Sequence, residues 1–214
     1  MLWGTLYRQA FERALCKEDL DKKIKIVGYP IPVSTAGIVS QTREFIVISL
    51  QITSDSEVWY KYSVKMLYEC LEQLKESGYK VLLKHHPRFN NEVDLSDIVI
   101  KYPFVGFVSK PLVELVPQTL LHITWSSTTC FEYANYGVPT FFLVDEVLSH
   151  GTTIFYEQYH YPLYKEMSLL EVVAHVVDKQ EYKEDCKIVK KWYDSAYAPF
   201  DKQQILKILT GNED

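Results

Sequence analysis

Glycine is scarce in this chain, with 8 among 214 residues, and neither GxGxxG nor GxxxxGK(S/T) occurs. Dinucleotide and P-loop binders use those glycines to bring backbone N–H groups against phosphate, so both classes are disfavoured. GxSxG is missing too: the hydroxyl run Ser126-Ser127-Thr128-Thr129 lacks the flanking glycines of a nucleophile elbow. There is no CxxC. The four cysteines, Cys16, Cys70, Cys130 and Cys186, are scattered and read as reduced, mostly buried thiols. No apolar run approaches the length of a membrane span, and Arg8, Glu12 and Arg13 interrupt the amino-terminal stretch where a signal peptide needs an apolar core. The expected location is therefore the cytoplasm, with at most peripheral membrane contact. Basic runs are absent as well, and a net charge of -5 argues against coating nucleic acid. No His/Asp/Glu set has metal-ligand spacing, so no metal site is expected. Asp19-Leu20-Asp21 spells DxD, but it lies in a charged run that reads as solvated surface.

What the chain contains is ordinary in bulk. Apolar residues make up 47% and charged residues 24%, as in soluble globular proteins. The length suits one large domain or two small ones with a full core. Sixteen tyrosines are many; most must pack, while aromatic-rich proteins also line sugar or base sites.

Residues 3–18 place Leu6, Tyr7, Ala10, Ala14 and Leu15 at helical spacing, which predicts one amphipathic helix. Ile24 to Val27 reads as a short strand, and Gly28-Tyr29-Pro30-Ile31-Pro32 opens a linker to about Arg43. Strands then alternate with helices. Strands are predicted at 45–50, 80–83, 104–108, 120–123 and 140–144. Helices are predicted at 56–76, 95–100, 111–116 and 127–136, and, after a Tyr-rich stretch, at 168–180, 183–196 and 201–210. This alternation implies an α/β fold with a doubly wound, mainly parallel sheet of about five to six strands and a helical carboxyl-terminal tail.

Two strings follow predicted strands, at the carboxyl ends where open α/β sheets bind ligands. Lys84-His85-His86-Pro87-Arg88 crowds cations and imidazoles into one turn. Proline there ends a strand in any case, but such a cluster is costly to assemble without an anion, and histidine and arginine both donate to phosphate oxygens. Ser126-Ser127-Thr128-Thr129 precedes a helix. One hydroxyl suffices as an N-cap; four beside a helix start suggest an anion site. Glu132, in the same helix, is either an ordinary surface carboxylate or an acceptor for ribose hydroxyls.

Taken together, the strings resemble the carboxyl-terminal, donor-binding half of GT-B fold glycosyltransferases with a Lys-x-His-Pro motif and a later Ser-Ser motif. These are the bacterial sialyltransferases, polysialyltransferases and capsule Kdo transferases and, more distantly, the CDP-glycerol glycerophosphotransferases. The resemblance covers roughly residues 24–150 and includes Phe131 to Thr140 with its Gly137. It implies a Rossmann-like half of a GT-B fold at 44–214. Residues 1–43 would be the tail of a missing amino-terminal domain plus linker, the alternative being a strand added to the main sheet. The implied activity is transfer from a nucleotide sugar, CMP- or UDP-linked, to a saccharide acceptor in surface polysaccharide synthesis, inverting and with neither metal nor other cofactor.

Lys84, His85, His86, Arg88, Ser126, Ser127 and Thr128 would hold the donor phosphate, His86 would act catalytically on the leaving group, and Glu132 would face the ribose. The general base would belong to the missing domain. An apolar stripe of Ile188, Trp192, Tyr193, Ile205, Leu206 and Leu209 would meet that domain, a separate acceptor-binding subunit or a second copy, unless it covers the sheet. Two other functions share these features: a GT-B-like epimerase or pyruvyltransferase, and a non-catalytic nucleotide-binding or partner-binding module.

Overall fold

Of the one helix predicted over residues 3–18, α1 (Thr5–Glu12) fills the first part, and a second helix, α2 (Lys17–Lys23), lies almost wholly beyond it. The computed structural model describes residues 2–12, 15–28, 43–52, 56–86, 93–143 and 154–211. Cys16 is extended, which divides the two helices. Helix α2 carries acids in its first turn and lysines in its last. Glu18 pairs with Lys22 at 2.5 Å and Asp19 with Lys23 at 3.1 Å, so local charge supports this mostly polar helix. Asp19 and Asp21 of the DxD letters are thus engaged as ion pairs, Asp21 with Arg8, whose hydrogen bond holds that carboxyl below its usual range.

The predicted strand at 24–27 makes one parallel bridge, Ile26 to Leu2, and takes no place in the main sheet. Leu2 N–H donates to Lys25 at 2.8 Å, and Val27 N–H donates back to Leu2 at 2.9 Å. Most of the predicted linker, including Pro30 and Pro32, lies outside the described residues.

Beyond the linker the predicted alternation holds. The elements are β1 (Phe45–Ser49), α3 (Glu57–Leu74), β2 (Lys80–Lys84), α4 (Ser96–Lys101), β3 (Val105–Phe107), α5 (Leu112–Leu115), β4 (Thr119–Thr124), α6 (Thr129–Asn135) and β5 (Thr140–Phe142). A 3-10 turn, Val116–Gln118, joins α5 to β4. All four strand pairings are parallel, in the order β3-β2-β1-β4-β5. This is a mainly parallel α/β sheet with flanking helices, as in a Rossmann-like half of a GT-B fold. Alternation along β1 sends Ile46 and Ile48 into the larger core cluster with Leu67, Leu71 and Leu74 of α3, and Phe45 and Val47 into a smaller one with Leu115, Val116 and Tyr133. Burial on both faces explains the continuous apolar runs of these strands.

The tail consists of α7 (Leu169–Val177), α8 (Lys179–Ala196) and α9 (Lys202–Thr210). Asp178 divides α7 from α8 earlier than predicted, because its carboxylate accepts from Gln180 N–H at 2.8 Å and Glu181 N–H at 3.0 Å, an N-cap. Of the predicted stripe, Trp192 and Tyr193 are buried, Ile188 is exposed, and α9 buries no residue, with Leu206 and Leu209 open to solvent. The Tyr-rich stretch mostly packs: Phe155 stacks on Phe142 at 4.6 Å, and Tyr161 meets Trp192 edge-on at 5.0 Å. Residues 2–28 lie against the end of α8. Thr5 donates to Ser195 at 3.0 Å, Ala198 N–H to Trp3 at 2.8 Å and Asp201 N–H to Val27 at 2.9 Å. Gly28, at φ +77, comes so near Pro199 that a Cβ there would lie 2.0 Å from its carbonyl oxygen. Only glycine fits such a contact.

Arg43 fastens the sheet entrance to this tail. Its guanidinium donates to the Tyr136 carbonyl at 2.8 Å and the Gly137 carbonyl at 3.1 Å, where α6 ends, and it also bonds the Tyr182 hydroxyl of α8. A cation on the last carbonyls of a helix is favoured by their partial negative charge. Arg43→Ala should cost roughly 2–3 kcal/mol, since it strands part-buried carbonyls that bonded a charge. Urea denaturation checks this, and an unchanged midpoint contradicts it.

Candidate functional site

The strand order reverses at β1: the chain runs outward through β2 and β3, then returns to the other side of β1 as β4. Ligand crevices open at the carboxyl ends of the strands beside such a switch point. Here those ends are Ser49 and Thr124. Thr124 Oγ1 donates to the Ser49 carbonyl and to Gln51 Oε1, each at 3.1 Å, and Gln51 Oε1 also accepts from Ser126 N–H at 2.7 Å. Gln51 therefore holds the β1 and β4 exits together. Nothing in its sequence neighbourhood singles it out.

A cavity of about 280 Å³ lies at these ends, lined by Ser49, Leu50, Lys84, His85, His86, Pro111, Leu112, Ser127 and Thr129. The two strings, separate in sequence, share its wall. Lys84 is the last residue of β2, in register with Ser49 of β1. The His85 ring stacks on Phe107 at 5.1 Å. Burial lowers its pKa, and the neighbouring Lys84 ammonium adds to that. Ser127 Oγ accepts from Thr129 Oγ1 at 2.9 Å and from Thr129 N–H at 3.3 Å. With both lone pairs of Ser127 occupied, its own proton remains for a ligand. Helix α6 has seven residues, so the hydroxyls, more than a long helix dipole, would hold an anion here.

The other predicted site residues fall elsewhere. Thr128 and Glu132 face a second cavity of about 620 Å³, which shares Leu112 with the first and is walled by Trp3, Tyr7, Phe131, Tyr159, Tyr193 and Tyr197. The Glu132 side chain reaches solvent at the mouth of this aromatic cavity, and desolvation by its walls raises the carboxyl pKa. Ser126 lines neither cavity; its backbone N–H is spent on Gln51. Pro87 and Arg88 lie outside the described residues. Among the described residues, no three His, Cys, Asp or Glu side chains gather in a group able to hold a metal ion, and no helix is long and apolar enough to cross a membrane.

Sequence reasoning passed over His122. It sits in the middle of β4, fully buried, with its ring stacked on Tyr133 at 3.9 Å. Nδ1 meets Thr140 Oγ1 at 2.9 Å and Nε2 meets Ser49 Oγ at 2.9 Å, with Thr129 Oγ1 at 3.5 Å. Desolvation pushes its pKa down to about 3, so the ring is neutral at physiological pH. The available signal was a polar letter inside Leu120-Leu121-His122-Ile123.

No protein-family model matches the chain, and no curated protein matches it. Solved structures do. The wall teichoic acid polymerase TagF superposes with a TM-score of 0.51 at 18% identity, covering 96% of this chain and 49% of that one. A TagF variant soaked with CDPG gives a TM-score of 0.51 at 15% identity, with 99% and 56% covered. The chain thus spans about half the length of the structures it matches. At this identity the likeness establishes the fold alone, and it does not single out sialyltransferases.

The buried imidazole predicts a pH dependence. Above pH 6.5 it is neutral in both folded and unfolded chains. As pH falls, the unfolded chain takes up a proton that folded His122 refuses until about pH 3, so stability drops through that window. At pH 5 this loss is about 2 kcal/mol. Denaturation of wild type and His122→Gln at pH 7 and pH 5 should show the variant losing less between the two; equal losses would contradict it.

Proposed function

We propose that this chain is the donor-binding half of a nucleotide-sugar-dependent transferase, acting in surface polysaccharide synthesis. In this reading residues 44–214 bind the donor, while residues 1–43 are the tail of an acceptor domain plus its linker. The carrying observation is the 280 Å³ cavity in which Lys84, His85 and His86 meet Ser127 and Thr129. One wall offers positive charge and imidazoles, the other hydroxyl protons, which is the complement of a diphosphate. The larger cavity begins beside it at Leu112, with Glu132 and aromatic rings on its wall, suited to the ribose and sugar portions of the donor. Cytidine nucleotides lead the donor candidates, CMP-sialic acid among them. The motifs resemble those of cytidine-nucleotide enzymes, and one matched structure is of a TagF variant soaked with CDPG.

The chemistry follows from the leaving group. As the bond from sugar to phosphate oxygen breaks, negative charge grows on the phosphate, and preorganised donors aimed there lower the barrier. Lys84 supplies such a donor, and so does Ser127, whose proton is left free because Thr129 donates to its oxygen. Burial and Lys84 favour the neutral form of His85, so His86 is assigned the acid role, donating a proton to the departing phosphate oxygen. The base that deprotonates the acceptor would come from the acceptor domain or a separate subunit.

A thermal-shift panel of CMP, CDP, UDP, GDP and dTDP tests this on wild type, His86→Ala and Ser127→Ala. Cytidine nucleotides should raise the wild-type Tm, and both substitutions should remove most of the shift. Equal shifts in all three proteins would detach the two strings from the ligand, and no shift in wild type would sink the proposal.

A further inference from the structure

Two hydroxyls on the wall of the 280 Å³ cavity, those of Ser49 and Thr129, converge from behind on a side chain that no ligand touches. His122 is fully buried; it reaches the cavity only through Ser49 Oγ at 2.9 Å and Thr129 Oγ1 at 3.5 Å. Its strand position alternates with Leu121 and Ile123, both fully buried in the larger core cluster, and faces Tyr133 on the other side of the sheet. An aliphatic residue would fill that place without burying two polar nitrogens. Both nitrogens are paired, and both with hydroxyls.

A serine hydroxyl has one proton and two lone pairs. Where its proton points depends on which neighbour donates to it. If His122 carries its hydrogen on Nε2, the imidazole donates to Ser49 Oγ while Nδ1 accepts from the Thr140 hydroxyl. With the buried Tyr133 hydroxyl, which also lies against the Ser49 side chain, donating to Ser49 as well, the Ser49 proton is then left for the cavity, matching the Ser127 proton freed by Thr129. We infer that His122 is a positioning residue for the bound phosphate, holding the Ser49 hydroxyl as a donor toward the ligand from beneath the cavity floor. This rests on the reading of that cavity as the phosphate site. Ser49 thereby joins the ligand-facing groups, beyond the residues that the two strings name.

The amides of Gln and Asn separate the two ring nitrogens. A Gln side chain at position 122 reaches the place of Nε2 and keeps a donor for Ser49; an Asn reaches the place of Nδ1 and keeps only the Thr140 partner. Isothermal titration of the full chain with inorganic pyrophosphate should show His122→Asn binding about tenfold more weakly and His122→Gln within about twofold of wild type. Ser49→Ala should weaken binding like His122→Asn, and adding His122→Asn to it should cost nothing further. Nitrogen-15 NMR of the wild-type ring should report the Nε2–H tautomer, a readout that needs no variant to fold. Equal binding by wild type and both variants, or equal weakening of the two variants, would overturn the inference and leave the phosphate cavity standing. An Nδ1–H tautomer would do the same. Wild type that binds no pyrophosphate would remove the cavity reading and the inference together.

Discussion

Strand β1 is hydrogen-bonded on both edges and buried along its whole length, and the rest of the structure is arranged around that constraint. The connection leaving β1 leads to β2 on one side and that leaving β4 leads to β5 on the other, so the two diverge and a crevice remains at the carboxyl ends of β1 and β4. At the strand exits the backbone has lost its ladder partners and must find others. From one carbonyl oxygen Gln51 serves the backbone N–H of Ser126 and the side-chain hydroxyl of Thr124. Side chains on the crevice wall are already tied to one another, so little ordering entropy would oppose a ligand that entered there.

The buried polar network under the crevice is a cost set against that order. Ser49, His122, Thr124 and Thr140 are all buried in the sheet. Each is tolerable only because each has a partner, and removing one member leaves another unsatisfied in a low-dielectric interior. The opposite side of the sheet is conventional: the aliphatic face of α3 packs on Ile46, Ile48 and Leu83. Stability therefore resides mainly on one face and polar specificity on the other.

The strands were legible in the sequence because parallel strands buried on both faces leave uninterrupted apolar runs, and the two candidate strings followed from where those runs stop. Helix ends were legible where a cap has a signature, as at Ser56, whose side chain accepts from Trp59 N–H. The division at Cys16 had no such sign, since the charge pairs that support α2 only make sense once its start is known. His122 was visible as a letter but not as a role; its partners come from β1, β5 and α6, 73, 18 and 7 residues away. The partition of Thr128 and Glu132 into a second cavity depends on Trp3 and Tyr197, and no local pattern brings those together. Arg43 was read only as the end of a linker, because the carbonyls it bonds follow a helix that begins 86 residues later.

The seam between residues 2–28 and the end of α8 also bears on how the chain is made. The bonds Trp3 to Ala198 and Val27 to Asp201 join segments separated by most of the sequence. Closing so long a loop is entropically unfavourable until the sheet has already brought its ends near one another. During vectorial synthesis, α1 emerges early and waits, with Trp3 and Leu6 lacking their surface, while the sheet condenses behind it.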